Sequence, residues 1–375
     1  MSINIDRQKQ LTKTIRNLIA NGAIDFAQRG ITKTLPSTET YLADRFSVRK
    51  TVTTSAWTGT YDVASDAPTA QQAGFNLSRC VRVTNGTGAA AASGDQYTIR
   101  HKLEGYDYEV IHGQSVRLQF WVKCSVSGTY SIAFENSAQN RTFVSTFSIA
   151  IGEINTWVFR YIDITMDTSG TWLFGNNLGL TIYWVLDAYQ TDLGTATLNS
   201  WKSDNKIAAN TQTAWANTTG AIFSLTGIAL FPAQFPIIFP FSRTGSITDE
   251  LLKCFRYCYA PISFPETGSL DTNKSGAFVV WHGSAVTTVV PPYSMRWKVP
   301  FKVPMRIKPT ATTSNASSVW KNNQSPVTSL AATSDGTLRN GGNLVASIGG
   351  IFFYFALGSG ASWGSSVVLI YDAEL

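Results

Sequence analysis

Residues 116–124, VRLQFWVKC, alternate without a break. Val116, Leu118, Phe120, Val122 and Cys124 fall on one side of an extended chain, and Arg117, Gln119, Trp121 and Lys123 on the other. A period of two belongs to a strand with one buried face, because neighbours on a helix face recur at three and four residues. Residues 179–186, GLTIYWVL, repeat the pattern, with Leu180, Ile182, Trp184 and Leu186 opposite Thr181, Tyr183 and Val185. The segments 128–134 and 156–164 have the same character, and 220–231 reads as a strand buried on both faces. Short strands separated by turn residues such as Asn85-Gly86, Ser127-Gly128 and Ser169-Gly170 predict an antiparallel sandwich or jelly roll. Composition agrees. Charged residues are 14% of the chain, against about 25% in ordinary soluble domains. Hydroxyls replace them, with 36 Ser and 43 Thr, and aromatics reach 12%. Thr, Val and aromatic side chains favour strands. The apolar content of 44% excludes a disordered chain, and the whole pattern disfavours a helical bundle, a coiled-coil rod or a doubly wound nucleotide-binding enzyme.

Two segments depart from the β pattern. Residues 6–20 predict a short amphipathic helix, with Leu11, Ile15, Leu18 and Ile19 on one stripe and Arg7, Lys9, Lys13 and Arg16 on the other face; Asn21-Gly22 is its stop. A helix this short must pack on something, either its own domain or a partner. Residues 248–259, TDELLKCFRYCY, predict a second helix from Thr248, with Pro261 beyond it and Cys254 and Cys258 on one face. After it, apolar runs at 277–281, 285–290, 344–347, 351–357 and 366–371 return to β character. The expected organisation is a short N-terminal helix and anchoring segment over 1–40, a jelly-roll domain over 41–240, and a linker helix with a second, smaller β-sandwich domain over 241–375. That length of 375 residues suits two domains.

Catalytic machinery is hard to assemble from this chain. There is no phosphate-binding Gly-Lys-Ser/Thr loop and no convincing Gly-x-Ser-x-Gly elbow. Only three histidines are present, and the four cysteines read as small buried side chains, with no disulfide, metal site or cofactor expected. Asp107 and Glu109 would share a strand face about 7 Å apart, a separation open to glycoside hydrolysis but common to any Asp-x-Glu on a strand. The net charge of +6 is spread too thinly for nucleic-acid recognition. Pro232, Pro236 and Pro240 break the one long uncharged stretch, so no membrane insertion is expected, and residues 1–16 do not read as a secretory signal. Sugar binding asks for less: flat aromatic faces and a few hydrogen-bonding groups. Trp121 and Tyr183, on the polar faces of their strands, and Tyr189 and Trp201, in the loop-like stretch 187–205, are the candidate glycan-binding residues.

Four strings then carry a resemblance: NLIANGAIDFAQRG at 17–30 with YLADRF at 41–46; QSVRLQFWVKCSVSGTYSIAFEN at 114–136 with NRTF at 140–143; NTWVFRYIDITMDTSGTW at 155–172 leading to GLTIYW and LNSW; and FSLTGIALF at 223–231 before ELLKCFRYCY at 250–259. In order and spacing they resemble bacteriophage tail-fibre and other virion-fibre proteins with a jelly roll like a carbohydrate-binding module. The resemblance covers about residues 17–260 and the ending YDAEL. It implies a homotrimer without enzymatic activity, made in the host cytoplasm and carried on the virion, whose β domains attach to host-surface glycans. It also implies that the N-terminal segment joins other virion proteins, with Arg7, Lys9, Leu11, Lys13, Ile15, Arg16 and Leu18 as candidate anchor residues. Two rival expectations are a capsid-decorating or neck protein of the same build, and a polysaccharide depolymerase using Asp107 and Glu109.

Overall fold

The computed structural model describes residues 17–29, 32–35, 38–51, 57–74, 76–232 and 247–259, followed by nine strand segments between 278 and 372 and the positions 303, 305, 306 and 374. The chain divides into two compact units, one ending at Glu250 and the other running from Leu251, with Gln28–Gly30 grouped with the second.

The first unit is a sandwich of antiparallel sheets. Its strands are β1 (Thr32–Thr34), β2 (Thr40–Ala43), β3 (Phe46–Lys50), β4 (Trp57–Val63), β5 (Arg79–Asn85), β6 (Gln96–Glu104), β7 (Ser115–Cys124), β8 (Gly128–Glu135), β9 (Thr142–Ile149), β10 (Val158–Thr165), β11 (Leu178–Ala188), β12 (Gly194–Thr195), β13 (Trp201–Lys202), β14 (Ala208–Ala209) and β15 (Ile222–Pro232). One sheet has the order β1-β4-β5-β15-β7-β10 and the other β13-β9-β8-β11-β6-β3-β2, while β12 and β14 form a small parallel pair. The alternation read from sequence sets the layers: Leu118, Phe120 and Val122 of β7 and Leu180, Ile182 and Trp184 of β11 enter one shared core. Phe120 meets Trp184 across it at 5.9 Å, edge to face, and Trp57 stacks on Tyr97 at 4.7 Å. The mainly β, sandwich class expected from the sequence is the class observed. In the second unit the described strands pair antiparallel, for example Gly350–Ala356 with Ser294–Pro300 on one side and Gly342–Ser347 on the other. The described residues of the apolar runs at 277–281, 344–347, 351–357 and 366–371 fall on such strands, and 285–290 lies outside the described residues.

β15 bends where its pairing with β7 slips between Thr226 and Ala229. Gly227 sits there at φ +59°, and a Cβ on it would lie 2.9 Å from both Leu77 Cδ1 and Trp121 Cδ1. A bulge of this kind needs glycine for both reasons. Gly227→Ala should therefore lose about 2 kcal/mol of stability through left-handed strain and displacement of Trp121, read as a lower urea midpoint. An unchanged midpoint would mean that the bend relaxes freely.

Three expectations are corrected. The helix expected over 6–20 is not formed at 17–20, where the backbone is non-helical, and 6–16 lie outside the described residues. Asn17 ties this stretch to β15: its amide donates to Ile228 O at 3.1 Å, and its Oδ1 accepts from Leu230 N and Ile19 N, both at 3.0 Å. Leu18 N donates to Leu230 O, so this stretch is laced to β15, and Asn21 turns at φ +59°. The stretch 105–109 is not a strand but one helical turn, α1 being the earlier turn Ala70–Ala73 and α2 being Gly105–Glu109. Gly105 allows it, since a Cβ there would lie 2.4 Å from the Phe174 carbonyl carbon. Residues two apart lie about 200° apart around a helix, so Asp107 and Glu109 do not share a face. After the turn α3 (Gln190–Leu193), the helix α4 runs only from Ile247 to Phe255, and Cys258 lies in the strand Cys258–Tyr259 paired with Leu369–Asp372. Cys254 and Cys258 therefore do not share a helix face, and both side chains are buried.

Candidate functional site

The four aromatics picked from sequence occupy four separate places. Trp121 does point to the outer side of its sheet, but it is only 8% exposed. Ala73, Leu77, Ala23 and Ala229 close over it in a small second core. Tyr183, on the outer face of the seven-stranded sheet, is 3% exposed. Arg100 lies over its ring at 4.7 Å, and its hydroxyl donates to Glu135. Tyr189 is half-buried at the start of α3, where its N–H donates to Asp95 O at 2.9 Å. Trp201 is half-buried between Phe143 at 5.6 Å and Trp172 at 5.4 Å, its indole N–H donating to Thr165 O at 2.7 Å. Among the described residues no ring contact joins any two of the four, so they do not form one site. Leu18, placed among the anchor residues, lies in the core of the first unit and is not available to a partner. Arg7, Lys9, Leu11, Lys13, Ile15 and Arg16 lie outside the described residues.

The register of β10 against β7 relocates the aromatic surface. Phe159 stands opposite Trp121, Tyr161 opposite Gln119, and Asp163 opposite Arg117. Ile162 and Ile164 enter the core, so the alternation puts Trp157, Phe159, Tyr161 and Asp163 on the outer face of an edge strand. Trp157 and Phe159 rim the small core that covers Trp121, with Phe159 at 5.5 Å from the Trp121 ring. Phe159 and Tyr161 are 6.4 Å apart, and Tyr161 is 45% exposed. The strip from Trp157 to Asp163 spans roughly 20 Å at about 3.4 Å per residue.

Each end of the strip carries an ion pair. At one end Arg117 forks onto Asp163 with two bonds of 2.6 Å and lies 4.4 Å over the Tyr161 ring. At the other, Lys123 binds Asp66, whose Oδ1 also accepts from the Trp157 indole at 3.4 Å. The Lys123 hydrogen bond holds the Asp66 carboxyl below the usual carboxylate range, and the Asp163 bond raises Arg117 further. The strip is thus a run of aromatic faces between two self-neutralised pairs, each still bearing donors and acceptors. Beneath it, the Gln119 amide and the Trp121 indole N–H are buried with no hydrogen-bond partner in the structure. Such a surface suits a neutral, polyhydroxylated chain: C–H faces stack on rings, and hydroxyls reach carboxylate and guanidinium. The sequence signal is the alternation inside TWVFRYID, which places its aromatics on one side of a β-forming segment.

The outer face of the other sheet is covered in part by an apolar cluster of Ala133, Val144, Tyr183, Val185, Ile207 and Ala208 and in part by a closed polar network. Thr181 stands between Lys102 and Glu135, and Tyr183 between Arg100 and Ala133. Glu39 accepts from Ser47 Oγ at 2.5 Å and from Lys102 Nζ at 3.1 Å, with Arg100 at 4.0 Å. Burial would raise the Glu39 carboxyl, but Lys102, Ser47 and Arg100 outweigh it and lower it. Burial raises Glu135 despite its Tyr183 bond. With Arg100, Tyr183 and Glu135 all buried, Arg100 bonded to Thr98 and Gln96, and Tyr183 bonded to Glu135, this network orders the sheet and presents no stacking face. Among the described residues no group of His, Cys, Asp and Glu could hold a metal ion. No helix is long and apolar enough to cross a membrane, among the residues described.

Asp187 anchors the far end of β11. Its carboxylate accepts from Ala216 N and Ala188 N, both at 2.8 Å, while burial pushes its pKa up to about 6. A folded value above the unfolded one means that the native state binds the extra proton between about pH 4 and 6. Stability should therefore rise as pH falls through that window, by up to roughly 3 kcal/mol from this group. The difference in unfolding free energy between wild type and Asp187→Asn, measured at pH 4 and pH 7.5, should change by that amount. A pH-independent difference would remove Asp187 as the source.

No family model and no curated protein matches the chain. Solved structures with a similar fold include an arabinose-bound α-L-arabinofuranosidase, at 10% identity and a TM-score of 0.31, where 64% of this chain spans 30% of that one. A family 11 carbohydrate-binding module of a Clostridium thermocellum cellulosomal cellulase matches at 13% identity and a TM-score of 0.28, over 55% of this chain and 98% of the module. A xylan-binding domain from Paenibacillus barcinonensis matches at 12% identity and 0.24, over 50% and 91%. Likeness at this level does not say what the chain binds.

Proposed function

We propose that this chain is a binding protein for neutral surface glycans, and that it serves as a trimeric virion fibre attaching a bacteriophage to its host. The observation that carries the binding reading is the strip Trp157–Phe159–Tyr161 between the Asp66–Lys123 and Arg117–Asp163 pairs. The virion assignment rests on the four sequence strings and not on the strip. Single sugar contacts are weak, and three strips per trimer, repeated over several trimers, would turn them into avidity. Association would also shelter an aromatic-rich, low-charge surface. The protein acts without catalysis in this reading. It needs no cofactor, and its N-terminal segment joins other virion proteins. Purified protein should have three times the mass of one chain by light scattering and should block phage adsorption to host cells. A protein that leaves adsorption untouched is instead a capsid-decorating or neck component. Release of reducing sugar from host polysaccharide would point to a depolymerase.

A further inference from the structure

The first unit is open along one side. Among the described residues β10 ends the six-stranded sheet, and its one strand neighbour is β7. β9 lies near the end of the other sheet. Beyond β8 it is flanked only by the two-residue strand β13, at Phe143 and Thr142. Most of β9 and all of β10 are thus edges. The two strands are consecutive in the chain, joined through the 3-10 turn Ile151–Glu153, although they belong to different sheets. A free edge is a template for pairing with another chain, and an inward-pointing charge is one way to blunt it. The eight residues of β10, VFRYIDIT, are rich in strand formers and contain no proline, so their edge needs such a guard. Ile151, 82% exposed on the turn beside it, adds an apolar group to the same side.

Arg160 is placed to be that guard. In the register it stands opposite Phe120, a core ring, and between Val158 and Ile162, which pack against or in the core. Its side chain therefore starts from the inward face of β10. The guanidinium does not stay there but crosses to the other sheet. Nε and Nη2 donate to Ser148 O of β9 at 3.1 and 2.9 Å, and Nη1 donates to Phe159 O of β10 at 2.9 Å. Nη2 also donates to Glu153 Oε2 at 2.5 Å. Glu153 is held in turn, since Oε2 accepts from Ala150 N at 2.9 Å and its carbonyl accepts from Thr156 Oγ1 at 2.7 Å. One charged fork thus joins the edge strands of both sheets and is neutralised by the turn between them. Bonds of this charge-assisted kind are about twice as strong as neutral ones. In the core beside it, Phe120 meets Phe147 of β9 edge to face at 5.2 Å.

We propose that Arg160 is a clasp that closes this side of the sandwich and keeps β10 from pairing with the same strand of a second copy of the chain. The clasp does not depend on the glycan reading. Amide hydrogen exchange and light scattering over a range of concentrations, both on the full-length protein, test it. In Arg160→Ala, exchange over 144–149 and 158–165 should quicken about tenfold, while β6 and β11 in the middle of the other sheet keep their protection as the control for folding. The same variant should form species heavier than wild type, in a proportion that grows with concentration, while the wild-type mass stays constant. Arg160→Lys keeps a charge on the edge but loses the fork, so it should show the faster local exchange with the wild-type mass. An Arg160→Ala protein with the mass of wild type at every concentration would overturn the proposal. So would exchange over 144–149 and 158–165 that is unchanged, or that quickens no more than in β6 and β11.

Discussion

Trp184→Ala should lower the unfolding free energy of the first unit by about 3–5 kcal/mol, the usual range for emptying a buried tryptophan site. Trp184 is fully buried at the centre of β11, between Phe120 at 5.9 Å and Phe46 at 6.3 Å. Neither ring can follow the retreating side chain, because each is fixed on a strand of a separate sheet. A single-domain stability is typically about 5–15 kcal/mol, so this one change would bring the sandwich close to unfolding. Trp184→Phe gives the sharper comparison. The indole N–H has no partner in the structure, so phenylalanine removes an unsatisfied donor together with part of the ring. Its expected loss is within about 1.5 kcal/mol. Urea unfolding of the two variants checks both values. A phenylalanine variant as damaged as the alanine one would mean that the indole nitrogen is bonded in solution.

The second large effect is on binding. Phe159→Ala/Tyr161→Ala removes two adjoining faces of the strip and leaves the ion pairs at its ends. Aromatic stacking of this kind contributes about 1 kcal/mol or more per ring, so the pair should weaken glycan binding roughly 30- to 100-fold. Stability should change little, since Tyr161 is nearly half exposed and Phe159 lies at the rim of the small core. Asp163→Asn separates ring from charge: it loosens the Arg117 fork while leaving both rings in place. A smaller loss, nearer threefold, is expected from it, because exposed ion pairs contribute only about 0–1 kcal/mol.

What could be read in advance follows the range of the forces involved. Strand alternation is local, and it placed Phe120, Trp184 and their neighbours in the core correctly. It also put Trp121 on the outer side of β7. Outer, however, is not exposed: Leu77 and Ala73, some forty-five residues away in sequence, cover that ring. Tyr183 failed as a candidate for a related reason, since only the pairing of β11 with β6 brings Arg100 onto its face. The strip itself needed the same kind of information. The aromatics of 157–161 were visible in sequence, but their meeting with Arg117 and Gln119 depends on the β10–β7 register. Asn17 shows a different limit. A side-chain amide that satisfies β15 backbone groups ties 17–20 into a non-helical path, where the residue periodicity predicts a helix.

The most direct test of the central claim is a calorimetric titration of the purified protein with neutral linear oligosaccharides and with host-surface polysaccharide, run beside Phe159→Ala/Tyr161→Ala. The strip predicts saturable binding by wild type that changes little with salt and is lost in the double variant. Binding that survives the double substitution, or none by wild type to any of these glycans, would contradict it.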